Sequence, residues 1–237
     1  VRCIAGGPLP DAMDHLSLPW SARSDSPGLS PSIASGRWRL LSAWLVAACV
    51  LMAGCDGQVP GSSRPSFKGV DITGAEYARS LTLTDGDGQA RTLADFKGKV
   101  VLVFFGYTQC PDVCPTTMAE LAEVKRGLGA DGARVQGIFV SVDPERDTAE
   151  LLKAYTANFG PDIIGLRGSP EQTKEAAREF KVFYNKVPGK TETSYTVDHT
   201  AGSYVFDAKG KVRLFTRYGS GAKALADDLK ILLAEPQ

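Results

Sequence analysis

The chain has 237 residues, 43% of them hydrophobic and 23% charged, which gives room for one globular core plus an appendage and excludes a fibrous or wholly disordered polypeptide. Its 27 basic residues balance 27 acidic ones and no long block of like charge occurs, so no basic surface for nucleic acid is expected.

Residues 1–36 are rich in Pro, Ser and Gly and carry no lasting helical or strand period, so they are read as disordered or as lying upstream of the true start of translation. Arg37 and Arg39 then precede an apolar run over 40–53, giving 37–54 the charged start, short apolar middle and small-residue end of a secretory signal. About fourteen residues are too few for a comfortable membrane span. Met52-Ala53-Gly54-Cys55 resembles a lipobox, which predicts cleavage before Cys55 and its acylation; Cys49, behind Val46-Ala47-Ala48, is a competing site. Residues 55–69, rich in Pro, Gly and Ser from 58 on, read as a flexible tether, and the folded domain is expected over 70–237.

Within that domain, 81–93 (LTLTDGDGQARTL) reads as a small hairpin around a DG turn, and 99–105 as an apolar strand buried on both faces. A helix over 115–128 follows, with Pro115 in its first turn and Met118, Leu121, Ala122 and Val124 on one side, then a strand over 134–142. Asp147 and Glu150 form a capping-box-like start for a helix to 158. A strand over 163–166, a helix over 169–180 opened by Ser169-Pro170, a hairpin over 202–218 and a helix over 222–234 complete the chain. This order predicts a thioredoxin-like α/β fold: a central mixed sheet flanked by helices, with β-hairpins at its N-terminal and C-terminal ends.

Cys110 and Cys114 are the only cysteines after Cys55, and they lie where the apolar strand hands over to a helix. Unpaired amides and the dipole at a helix N-terminus favour thiolates, so both thiols are expected to be unusually acidic. Residues four apart on a helix hold their Cβ atoms about 5–6 Å apart, against about 3.5–4.5 Å in a disulfide, so irregular backbone at Pro111 is needed to close the bridge. A fixed structural disulfide is one reading, but a bridge over three residues constrains little. A redox dithiol is another, with the more exposed Cys110 attacking and Cys114 resolving. A peroxidase lacks the expected loop motif.

The C-x-x-x-C spacing is wider than C-x-x-C and suits a metal. Beyond 55 there is one histidine, His199, so the soft donors number three, short of the four that structural zinc or an iron–sulfur cluster requires; two thiols and one imidazole suit Cu(I). His199 is placed at the foot of the C-terminal hairpin. Asp198 is a candidate to orient its ring, although neighbours on a strand point to opposite faces. Asp112, between the cysteines, either tunes the thiols or is ordinary turn chemistry. Asp143-Pro144 reads as a strand-ending turn, and Phe105, Tyr107 and Phe139 as core or site walls.

Three blocks, GYTQCPDVCPTT (106–117), VSVDPERDT (140–148) and YTVDHTAGSYVFD (195–207), together with their order and spacing, resemble the Sco/SenC family of copper proteins. The resemblance covers about 70 to the end. It implies one copper ion, as Cu(I) or Cu(II), held by Cys110, Cys114 and His199. It also implies delivery of that copper to the CuA site of cytochrome c oxidase subunit II or another acceptor, after loading by a copper donor chaperone, or reduction of the acceptor's cysteines. Family members face outward from the cytoplasmic or inner mitochondrial membrane, so a lipidated Cys55 would anchor this chain at the extracytoplasmic side of a bacterial cytoplasmic membrane.

Overall fold

A computed structural model describes residues 66–191 and 194–236, which belong to one unit spanning 63–237. The expected signal segment, Cys49, Cys55 and most of the tether lie outside the described residues.

The domain opens on a short edge strand, β1 (Val70–Asp71), close to its expected start. Just ahead of it, the Lys68 and Gly69 amides donate to the buried Asp228 carboxylate at 2.7 and 2.8 Å, which pins the chain entry to the C-terminal helix. Strands β2 (Thr82–Asp85) and β3 (Ala90–Thr92) form the DG hairpin. Asp85 accepts from the Asp87 and Gln89 amides and Gly88 takes φ of 77°, the left-handed conformation that such a turn needs and glycine allows without strain.

The centre is parallel: β4 (Val100–Gly106), β5 (Val135–Ser141) and β6 (Ile163–Arg167) pair side by side. Parallel pairing requires crossovers, here α1 (Val113–Gly127) between β4 and β5 and α2 (Ala149–Ala157) between β5 and β6. Every residue of β4 and β5 is buried, which explains the unbroken apolar run of β4 and the mostly apolar character of β5; each fully buried Phe at 104, 105 and 139 stabilises by about 1.5–3 kcal/mol.

Helix α3 (Pro170–Glu179) starts on a capping box between Ser169 and Gln172. A ribbon follows, β7 (Tyr184–Pro188) and β8 (Tyr195–His199), then β9 (Gly202–Phe206), β10 (Val212–Arg217) and α4 (Ala222–Ala234). The eight-stranded sheet runs β1-β10-β9-β4-β5-β6-β2-β3, mixed in direction, while β7 and β8 pair only with each other. Helices α1 and α4 pack together and α2 packs on β6. The fold is thioredoxin-like. Among the described residues, no helix is long and apolar enough to cross a membrane.

Three local expectations are corrected. Helix α1 begins at Val113, two residues early, because Pro115 falls within the first turn, where a missing N–H costs no helical bond. Thr148, not Asp147, caps α2 by accepting from the Leu151 amide at 3.2 Å, and Asp147 turns inward instead. His199 ends the separate ribbon rather than standing in the C-terminal hairpin.

Candidate metal centre

The loop after β4 turns back on itself, the Cys110 amide donating to the Tyr107 carbonyl at 3.2 Å, and leaves Cys110 half-buried. Cys114 sits in the first turn of α1 and is fully buried. Its sulfur lies against the end of β4 because residue 106 is glycine: a Cβ there would come within 2.7 Å of Cys114 Sγ. Strand β8 delivers His199 from 85 residues away, with Nε2 3.4 Å from Cys114 Sγ. The two sulfurs and one ring nitrogen all lie within 4.8 Å of one another, and both cysteines are free.

The imidazole is oriented by backbone and packing. Nδ1 lies 3.1 Å from the Thr200 carbonyl oxygen. A carbonyl only accepts, so Nδ1 donates to it, which leaves Nε2 as the ring atom facing the sulfurs. Phe104 and Tyr107 meet the ring edge-on, with centroids 5.8 and 6.0 Å away.

Asp198 does not serve as the ring's partner: it is exposed, as strand alternation demands, and the Thr200 carbonyl takes that role. The Asp112 side chain is also turned from the sulfurs, accepting from the Thr116 hydroxyl at 3.4 Å, while its backbone amide faces Cys110.

The thiols are unequal, which corrects the expectation that both are acidic. The Cys114 S–H donates to Cys110 and, with the His199 ring and the amides of Asp112 and Cys114, outweighs burial to bring the Cys110 thiol down to about 4. Burial, then the hydrogen bond with Cys110 and the charge on it, pushes Cys114 up. The pair therefore holds one proton at neutral pH, on the buried sulfur. A depressed thiol is reactive above its folded value and loses thiolate only as pH falls through it. In metal-free reduced protein, alkylation should modify Cys110 alone, at a rate flat from pH 7 to about 5 and halved near 4. A midpoint near the ordinary thiol value, measured by mass spectrometry of quenched samples, would contradict this assignment.

Sequence reasoning missed what holds the cysteine loop. Asp147 accepts from the Thr108 hydroxyl and the Ser141 hydroxyl, both at 2.6 Å, joining the loop after β4 to the end of β5. Burial pushes its carboxyl up, against the pull of those hydrogen bonds. The available signal was a mostly charged and polar run, Asp143 to Thr148, soon after a mostly apolar strand.

Two soft sulfurs and an imidazole nitrogen, incomplete as a zinc or cluster site, are a donor set that fits copper. The SCO1/SenC family model matches residues 71–234. The chain belongs to this family. A SCO1/SenC relative, the mitochondrial SCO2 homolog of Bos taurus, is 40% identical over 146 residues, covering 61% of this chain and 54% of that protein. The chain thus spans about half the length of the first curated SCO1/SenC relatives it matches. The solved structure of Bradyrhizobium japonicum ScoI with copper bound is 42% identical and superposes with a TM-score of 0.59, covering 65% of this chain and 97% of that one. Apo Sco1 from Thermus thermophilus is 39% identical with a TM-score of 0.64, covering 72% and 99%.

Proposed function

We propose that this SCO1/SenC protein carries one copper ion on Cys110, Cys114 and His199 and hands it to the CuA site of cytochrome c oxidase subunit II. The observation that carries the reading is the convergence of those three donor atoms within 4.8 Å. Copper in the Bradyrhizobium ScoI structure supports it. Copper here is cargo: two thiolates hold Cu(I), the imidazole extends the set to Cu(II), and a three-donor sphere leaves an open edge through which an acceptor with more ligands can take the ion. A copper donor chaperone would load the site. Acylation of Cys55 would tether the domain, through 55–69, to the extracytoplasmic face of a bacterial cytoplasmic membrane.

A second reading draws on the unequal thiols. The Cys110 thiolate attacks a disulfide on the acceptor and a mixed disulfide forms; Cys114 then loses its proton, displaces the acceptor thiolate and closes the Cys110–Cys114 bridge. The acceptor gains two thiols and this chain is oxidised.

The two readings separate when copper-loaded protein is mixed with a metal-free, prereduced subunit II domain. Copper should leave this chain and the CuA absorption should appear. If no copper moves, yet the metal-free dithiol restores thiols to an oxidised acceptor, carriage is wrong and reduction is right.

A further inference from the structure

His199 rides on a ribbon, β7–β8, that pairs with no strand of the main sheet. On one side the chain returns into β9, the Ala201 carbonyl accepting from the Tyr218 amide at 3.1 Å; on the other, the ribbon is held by side-chain ties to the segment 143–146, which follows β5. The Tyr195 hydroxyl, at the start of β8, donates to Asp143 Oδ1 at 2.8 Å, and Lys186 on β7 meets Glu145 at 2.7 Å.

Arg146 is the hub of these ties. Its Nε donates to the fully buried Asp143 carboxylate. Its Nη1 donates to the Tyr195 carbonyl at 2.9 Å and to Gln109 Oε1 at 3.2 Å, next to Cys110. The guanidinium carbon stands 3.5 Å from the Tyr195 ring centroid and 5.6 Å from that of Tyr107, the ring that meets His199 edge-on. Only a planar, forked cation makes these contacts at once.

We propose that Arg146 is a positioning residue for His199: held by Asp143, its guanidinium ties Tyr195 on the ribbon to Gln109 in the cysteine loop and so fixes the imidazole against the two sulfurs. The functional value of this tie rests on the copper reading above, but the tie itself is testable without metal.

The experiment compares wild type with Arg146→Gln as metal-free, reduced protein, by amide hydrogen exchange. Ribbon amides in β7 and β8 should exchange about tenfold faster or more, the range expected when a charged hydrogen-bond partner is removed and its acceptors stay buried, with β4 and β5 unchanged. Added Cu(II) should bind about tenfold more weakly with an altered spectrum. In a His199→Ala background, Arg146→Gln should cause no further loss of copper affinity. Unchanged ribbon exchange, an equal rise in β4 and β5, or an undiminished effect in the His199→Ala background would each overturn the proposal. Should Arg146→Gln fail to fold, Tyr195→Phe removes only the hydroxyl's bond to Asp143 and must give the same ribbon-restricted rise. Failure of wild type to bind copper at all would overturn the proposed function, with the exchange comparison still deciding the role of Arg146.

Discussion

Replacing either Cys110 or Cys114 with serine is expected to abolish high-affinity Cu(I) binding. Serine offers a hard, neutral hydroxyl where Cu(I) requires a soft thiolate, and one thiolate plus one imidazole is no longer a chelate matched to that ion. Loss of an outer partner of a metal ligand typically costs 10–100-fold in affinity, so loss of a ligand itself should exceed about a hundredfold. The two variants fail for different local reasons. Cys110 is half-buried and is the sulfur held as thiolate, so Cys110→Ser removes the charge already present at neutral pH. Cys114 is fully buried against Gly106, so Cys114→Ser also shrinks a packed side chain in the first turn of α1 and costs some stability. Competition against a chromophoric Cu(I) chelator, with circular dichroism to verify folding, measures the effect. A folded variant that keeps one equivalent of Cu(I) against the chelator would contradict the two-thiolate site.

His199→Ala should produce a different pattern: Cu(II) affinity falling by about a hundredfold or more with a changed spectrum, and Cu(I) affinity falling far less, because Cu(II) favours imidazole more than Cu(I) does. Formation of the Cys110–Cys114 disulfide should persist, since the imidazole supplies neither sulfur nor a required backbone contact. Electron paramagnetic resonance and absorption titrations read the first effect, and thiol counting after oxidation reads the second. An unaltered Cu(II) spectrum would remove His199 from the ligand set.

Much of the fold was legible because its signals are local. The unbroken apolar run of β4, the mostly apolar run of β5, the DG turn and the Ser169–Gln172 capping box each encode their element within a few residues. The ribbon that carries His199 was not legible: its exposed faces give β7 and β8 weak alternation, and it joins no other strand. The cysteines were found from spacing and from the strand-to-helix boundary. Their inequality was not, because it depends on how deeply α1 buries Cys114, a tertiary quantity. Asp147 looked like a helix cap in sequence because Glu150 lies three residues on, yet the pull of Thr108 and Ser141 turned it inward and left capping to Thr148. The roles of Arg146 and Tyr195 arise only from contacts across 49 residues.

X-ray absorption at the copper edge, on the reduced domain loaded with one equivalent of Cu(II) and examined before and after reduction, tests the shared site most directly. Two sulfur scatterers and one imidazole nitrogen around a single copper per chain are expected for Cu(II), with both sulfurs retained for Cu(I). A shell with fewer than two sulfurs, or a Cu(II) shell without imidazole scattering, would contradict a site built from Cys110, Cys114 and His199.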